Sequence, residues 1–180
     1  MSYRVLPITP AGIAGPVPDE LLDETWRRLV AENKAEQVFY AGGVRSADEF
    51  VAFLRSPDIT ACIALPDGGE VSVIAWLTNI GNRSAFAHYC VLGRPNRAVG
   101  RAVLDYWRSF RDPSGAPLID VLLGITPETY PLALRVLHIM GFTTIGTVPR
   151  YCDLAYAGRR AGGVISFLEL TPPPADPGSP

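Results

Sequence analysis

The sequence carries no marked excess of charge: 16 lysines and arginines stand against 18 acids, a formal net charge of -2 at pH 7. No arginine-rich or lysine-rich run breaks that balance, so nothing supplies the electrostatic hold that a nucleic-acid backbone demands. Cysteine is scarce. Cys62, Cys90 and Cys152 are odd in number, far apart and without a C-x-x-C pair, which excludes a disulfide framework and a thiolate zinc site. Histidine occurs only as His88 and His138, with no carboxylate cluster beside either, so no metal is expected. Long apolar runs are missing too: no stretch approaches about 18 residues, and Met1 to Pro10 has no apolar h-region. The expectation is a soluble, cytoplasmic protein with no membrane partner.

What is there suits a folded domain. Of 180 residues, 48% are hydrophobic and 19% charged, a globular composition on a chain long enough for one sizeable core. One domain is expected over residues 1–170, followed by a proline- and glycine-rich tail over 171–180. No internal repeat interrupts it.

Local signals give an order of elements. Tyr3 to Ile8 reads as a short strand. Pro18, Asp19 and Glu20 suit a helix start, where a fixed φ and negative charge are favoured, and Leu22, Trp26, Leu29 and Val30 recur at helical spacing. Ser46-Ala47-Asp48-Glu49 is a capping box leading into Phe50, Phe53 and Leu54, with Pro57 as the stop. Strands are expected over Asp58–Leu65, Glu70–Ile80 and Ser84–Leu92. The turns Pro66-Asp67-Gly68-Gly69 and Gly81-Asn82 argue for an antiparallel meander. Val99, Val103, Tyr106, Trp107 and Phe110 then form a helical stripe best read as core. Leu118 to Ile125 is nearly all apolar and suits a strand buried on both faces. Pro131 opens a helix that Gly141 closes. Thr143–Val148 and Val164–Leu170 read as the last strands. A strand-helix-strand order implies a crossover between locally parallel strands.

One segment points to chemistry. Arg97-Ala98-Val99-Gly100-Arg101-Ala102 follows a strand and opens a helix. A helix start presents unpaired backbone N–H groups and a partial positive charge. Gly100 admits a close approach of backbone to a bulky anion, and Arg94, Arg97 and Arg101 add charge. Such a corner can hold a diphosphate; it can equally be a loop whose small residue serves helix–sheet packing.

These residues resemble a known family. Arg97, Gly100 and Ala102 match the coenzyme A signature Q/R-x-x-G-x-G/A of the GNAT N-acyltransferase superfamily. Ala133 to Phe142 looks like the family's last helix, which ends in Gly-Phe, and Gly146 to Pro149 resembles the strand after it. The resemblance covers roughly Ile59 to Leu170. It implies a GNAT-like α/β fold, a mixed twisted sheet of six to seven strands flanked by helices. It also implies acetyl-CoA or another acyl-CoA as co-substrate, with direct attack of an amine on the thioester. By the same resemblance the diphosphate rests on Arg97, Ala98, Val99, Gly100, Arg101 and Ala102. The pantetheine arm lies along Cys90, Val91 and Leu92, in a gap between parallel strands Ser84–Leu92 and Leu118–Ile125. Two positions depart from the pattern. Leu137 stands where many members have a tyrosine acid, and Tyr130 where many have asparagine.

The catalytic candidates follow. His88 lies on the strand that borders the thioester and titrates near neutral pH, so it is the first choice as general base; a histidine satisfied in the core is the plain alternative. Cys90 shares its strand face and is either a nucleophile or, as buried free cysteines usually are, a small hydrophobe. Tyr130 can reach the sulfur or the acceptor, or simply pack. His138 reads as a surface or core residue, and Glu128 as a solvated one. Trp26, Phe39 and Tyr40 hint at an aromatic wall for a small-molecule or peptide amine acceptor, and core packing explains them equally well; the acceptor's identity, like the acyl chain length, is not legible. A fold retained without turnover, as a binding module, is the second reading, and a homodimer is one option for the assembly.

Overall fold

A computed structural model describes residues 2–94 and 96–171. Of the tail expected over residues 171–180, all but Thr171 lies outside the described residues.

Short turns join β2 (Thr60–Pro66), β3 (Val73–Gly81) and β4 (Ser84–Val91) into an antiparallel meander, and β1 (Tyr3–Ile8), separated from them in the chain by three helices, pairs antiparallel with β2. The turn after β2 closes through Gly69 N–H donating to the Pro66 carbonyl (3.0 Å), with Gly68 at φ +69°, a conformation that only glycine takes without strain. From β4 the chain crosses over through helix α4 (Arg97–Arg108) to β5 (Val121–Pro127), which runs parallel to β4. Helix α5 (Pro131–Ile139) leads on to the hairpin β6 (Thr143–Leu154) and β7 (Arg159–Glu169). The seven strands lie in the order β1-β2-β3-β4-β5-β7-β6. β7 therefore slips between β5 and β6, antiparallel to both.

The sheet separates two cores, as its period-2 alternation demands. On one face Ile63, Ile74, Trp76 and Cys90 meet α1 (Asp19–Ala31), the single turn α2 (Ala35–Val38) and α3 (Ala47–Leu54) through Leu22, Trp26, Leu29, Phe39, Phe50 and Leu54. On the other, Cys62, Val73, Ala75, Leu77 and Leu122 meet Val99, Val103 and Trp107 of α4 and Leu137 of α5. The helical stripe expected to be core is core at Trp107, which is fully buried. Val30, by contrast, is 51% exposed, so the apolar face of α1 is narrower than its spacing suggests.

The capping box forms with a shift. Ser46 Oγ accepts from Glu49 N–H (3.2 Å), but Glu49 returns its bond to Arg45 N–H (2.6 Å), one residue before the cap. The last hairpin differs more from the sequence reading. β6 runs six residues past Val148, and β7 begins five residues before Val164. The ladder carries Pro149 in a register shift between Val148 and Cys152, where Arg150 takes φ +58°. Because β6 is an edge strand, the missing N–H leaves no ladder bond unmade.

Candidate active site

β4 and β5 start together and then part. At their beginnings the Arg83 guanidinium grips Asp120 through both oxygens (Nη2 to Oδ1 2.7 Å), and the Arg83 carbonyl accepts from Asp120 N–H at 2.7 Å. Only Ser84↔Val121, Ala85↔Leu122 and Phe86↔Leu123 pair; beyond them β5 turns its ladder to β7 alone. The parted strands open a cleft of about 190 Å³. It is walled by Ala87 to Val91 of β4, Gly124 to Pro127 of β5, the start of α5, and Lys34, Gln37, Val38 and Tyr40 from the α1–α2 segment.

The cleft brings together several residues singled out from the sequence. His88, Cys90, Val91 and Tyr130 all line it, and so does Leu137 in the position where a tyrosine would stand. His88 stacks on its cross-strand partner Trp76 (centroids 5.3 Å, planes 7° apart), and its Nε2 shares a hydrogen bond with Thr78 Oγ1 at 3.1 Å. Burial pushes its pKa down to about 4, because a charged imidazolium loses its hydration there. At neutral pH the ring is therefore uncharged and holds a proton weakly. That is a different group from the near-neutral base expected of a solvated histidine. Cys90 also differs from a nucleophile: burial pushes its thiol up to about 12, so it stays protonated. Tyr130, at the N-cap of α5, has its pKa raised by burial and packs edge-on to Tyr40 (centroids 6.4 Å).

The outer edge of β4 follows from one bond. Leu92 N–H donates to Ser72 O on the β3 side (2.8 Å). The carbonyl of Val91 and the N–H of Gly93 therefore project the other way, toward the parted strand. Each already has a partner. Lys34 Nζ donates to Val91 O (2.7 Å), and Glu32 accepts from Gly93 N–H (2.9 Å to Oε2). Lys34 and Glu32 are themselves paired at 2.5 Å. The backbone expected to border a pantetheine arm is therefore engaged: Leu92 N–H faces β3, and the Val91 carbonyl is held by Lys34. Nothing in the local sequence around β4 signals this, since Glu32 and Lys34 lie about 60 positions upstream.

A second cavity, of about 230 Å³, runs from the start of α4 between that helix, α5 and the sheet; Tyr89, Val91 and Val136 border both cavities. Arg97, Val99 and Gly100 line it, whereas Ala98, Arg101 and Ala102 line neither. At the helix start Asn96 Oδ1 accepts from Ala98 N–H (2.8 Å), and the Asn96 carbonyl from Gly100 N–H (3.4 Å). Two of the amides expected to meet an anion are thus engaged. A methyl group on Gly100 would meet only Met140, at 3.4 Å. Helix packing therefore does not demand the glycine.

The Tyr89 hydroxyl and Trp107 Nε1 belong to side chains that line this cavity. Both atoms are buried, and neither has a hydrogen-bond partner among the described residues. An orphaned buried donor costs about 1–3 kcal/mol until an acceptor reaches it. A long flexible molecule with amide carbonyls and a charged diphosphate end fits this set: a parted strand edge held by the Lys34 and Glu32 side chains, two orphaned donors, a narrow apolar passage and a helix start bearing exposed Arg97 and Arg101, with Arg94 just before it.

Comparison with solved structures decides the fold. Ribosomal-protein-S5-alanine acetyltransferase from Vibrio fischeri shares 11% identity over 96% of this chain and 97% of that one, with a TM-score of 0.65. RimJ of Mycobacterium smegmatis, in complex with CoA-disulfide, shares 17% over 94% and 90%, TM-score 0.66. The putative acetyltransferase yncA from Salmonella typhimurium, with acetyl-CoA, shares 12% over 99% of each chain, TM-score 0.64. The chain has the GNAT acetyltransferase fold. No protein-family model matches it, and no curated protein matches it in sequence. The GNAT resemblance carried by Arg97, Gly100, Ala102, Gly141 and Phe142 thus holds at the level of the fold. Gly141, at φ +94°, closes α5, and Phe142 is buried against the cleft side of β5 near Gly124. Among the described residues, no helix is long and apolar enough to cross a membrane, and no three His, Cys, Asp or Glu side chains gather as a metal site.

Proposed function

We propose that the chain is an N-acyltransferase that moves an acetyl or other acyl group from coenzyme A to an amine. The observation that carries this reading is the parting of β4 and β5 after three paired residues, beside a helix start lined by Arg97 and Gly100. Solved structures of the same fold that contain CoA or acetyl-CoA support it.

In this reading Arg97, Ala98, Val99, Gly100, Arg101 and Ala102 hold the diphosphate end, with Asn96 turning aside to release the Ala98 amide. Cys90, Val91 and Leu92 border the thiol arm, and Lys34 leaves the Val91 carbonyl when the arm arrives. The acceptor nitrogen attacks the thioester carbon; a C–N bond forms, the C–S bond breaks, and the thiolate takes a proton. Tyr130, kept protonated by burial, is the hydroxyl donor of the cleft. Leu137 leaves the departing sulfur without the usual acid. A thiolate with a pKa around 8.5, by analogy with cysteine, is a fair leaving group even so, and positioning alone supplies about 7–11 kcal/mol. His88 enters as a neutral imidazole that holds the acceptor, and the amine loses its proton to water. A reducing, cytoplasmic setting suits the three buried free thiols.

Two measurements test the reading. Calorimetry with acetyl-CoA is expected to give binding at micromolar to millimolar concentration, and thiol release over an amine panel to give turnover. Absence of any heat of binding at millimolar acetyl-CoA sinks it.

The Gly100→Ala variant tests the diphosphate corner. Alanine in a helix interior is favoured over glycine by about 1 kcal/mol, and Met140 is a flexible neighbour. Thermal stability should hold or rise slightly, while acyl-CoA affinity falls by roughly tenfold as the backbone approach closes. Unchanged affinity in a well-folded variant would remove Gly100 from the site.

A further inference from the structure

The acceptor's chemical class is written in a stack of rings. Phe39, Trp76 and His88 lie face to face in sequence across the sheet: Phe39 to Trp76 at 5.6 Å with planes 9° apart, Trp76 to His88 at 5.3 Å with planes 7° apart. Offset ring pairs at these separations attract beyond their buried area. Trp76 is on β3 and His88 opposite it on β4, so the next layer of the stack falls over the line where β5 has parted from β4. Trp76 covers one face of the imidazole, and the cleft borders the ring.

The charge of the cleft points the same way. Among the described residues no carboxylate lines it, and its one cation, Lys34, is spent on Glu32 and the Val91 carbonyl. The carboxylates nearby are engaged or outside: Glu32 accepts from Gly93 N–H, Glu128 from Gly162 N–H at 2.8 Å, and Glu36 stands exposed on α2. Among the described residues a polycation would find Glu36, exposed at the rim beside Tyr130, as its counter-charge, too little to offset the hydration it loses inside. Tyr40, Tyr130 and the exposed Leu132 complete an aromatic and apolar wall.

We infer that the acceptor is a monoamine carried on a flat aromatic group, whose ring adds the next layer to the Phe39–Trp76–His88 stack. The inference rests on the acyl-transfer reading above. His88 is then the specificity-determining platform of the cleft.

The test is thiol release from acetyl-CoA with 2-phenylethylamine, butylamine and spermidine, alongside calorimetry of acetyl-CoA on the same preparation. The aromatic amine is expected to have a kcat/KM at least tenfold above butylamine, with spermidine lowest. His88→Phe should keep that preference. His88→Ala should reduce it to about twofold, through KM and not kcat. Equal or better turnover of butylamine or spermidine overturns the inference, as does a preference unaltered in His88→Ala. Acetyl-CoA binding without turnover of any amine overturns it while leaving the cofactor site standing. Absence of acetyl-CoA binding removes the acyl-transfer reading itself, and the acceptor class with it.

Discussion

Acidification from pH 6.5 to 4 is expected to cost the folded chain roughly 3 kcal/mol through His88 alone. The sign follows from the two pKa values. Unfolded, the ring titrates at about 6.5; folded, burial holds it down to about 4. Between those limits the unfolded chain binds a proton that the folded chain refuses, so stability falls as pH falls. Above pH 6.5 the neutral ring costs nothing, and below 4 the loss is complete. Other groups act at different pH. Asp112 is held down by hydrogen bonds from Ser114, and Asp120 by those from Arg83. Their contributions are lost only as the carboxylates protonate, below the histidine window. Urea midpoints measured from pH 7.5 to 4.5 on the parent chain and on His88→Phe separate the two effects, because the variant keeps the carboxylates and the stacked ring. Parallel acid-loss curves for the two proteins would show that His88 is not buried as neutral imidazole.

The same residue shows what a sequence can and cannot say. Period-2 alternation is enough to place His88 and Cys90 on one face of β4, and the structure puts both on the cleft. Alternation says nothing about what the neighbouring strand contributes. Trp76, which stacks on His88 and helps to bury it, and Thr78, which shares its hydrogen bond, become its partners only through the β3–β4 register. Lys34 and Glu32 are invisible as site residues for a similar reason. They sit in the irregular segment after α1 and reach the edge of β4 only when the first helical layer is packed. Of the three aromatics read equally as an acceptor wall or as core, Tyr40 lines the cleft, whereas Trp26 and Phe39 went to the core. The strands and helices were easier, because capping, turn glycines and apolar periodicity act over a few residues. Where they fell short, in the six residues of β6 beyond Val148, the deciding fact was again non-local: β6 is an edge strand, so Pro149 breaks nothing there.

Phe50→Ala should lower stability by about 3–5 kcal/mol, the range for emptying a large aromatic from a closed core. Phe50 is fully buried, sits 5.3 Å from the Trp26 ring and meets Phe39 edge-on at 5.9 Å. Helix α3 reaches the sheet through it and Leu54, so the cavity cannot close without moving the helix. For a chain of this length the loss corresponds to a drop of roughly 10 °C in Tm, and urea denaturation gives it directly. A loss under about 1.5 kcal/mol would mean that the α1–α3 layer collapses into the gap. The sheet also predicts how the damage spreads. Phe39, which Phe50 supports edge-on, is the first ring of the stack that ends at His88, whereas the groove lined by Arg97 and Gly100 belongs to the opposite core. Under conditions where the variant remains folded, KM for an aromatic amine should therefore rise several-fold while the affinity for acyl-CoA holds. If both fall together, the two cores are not independent, and the sheet transmits the loss from one face to the other.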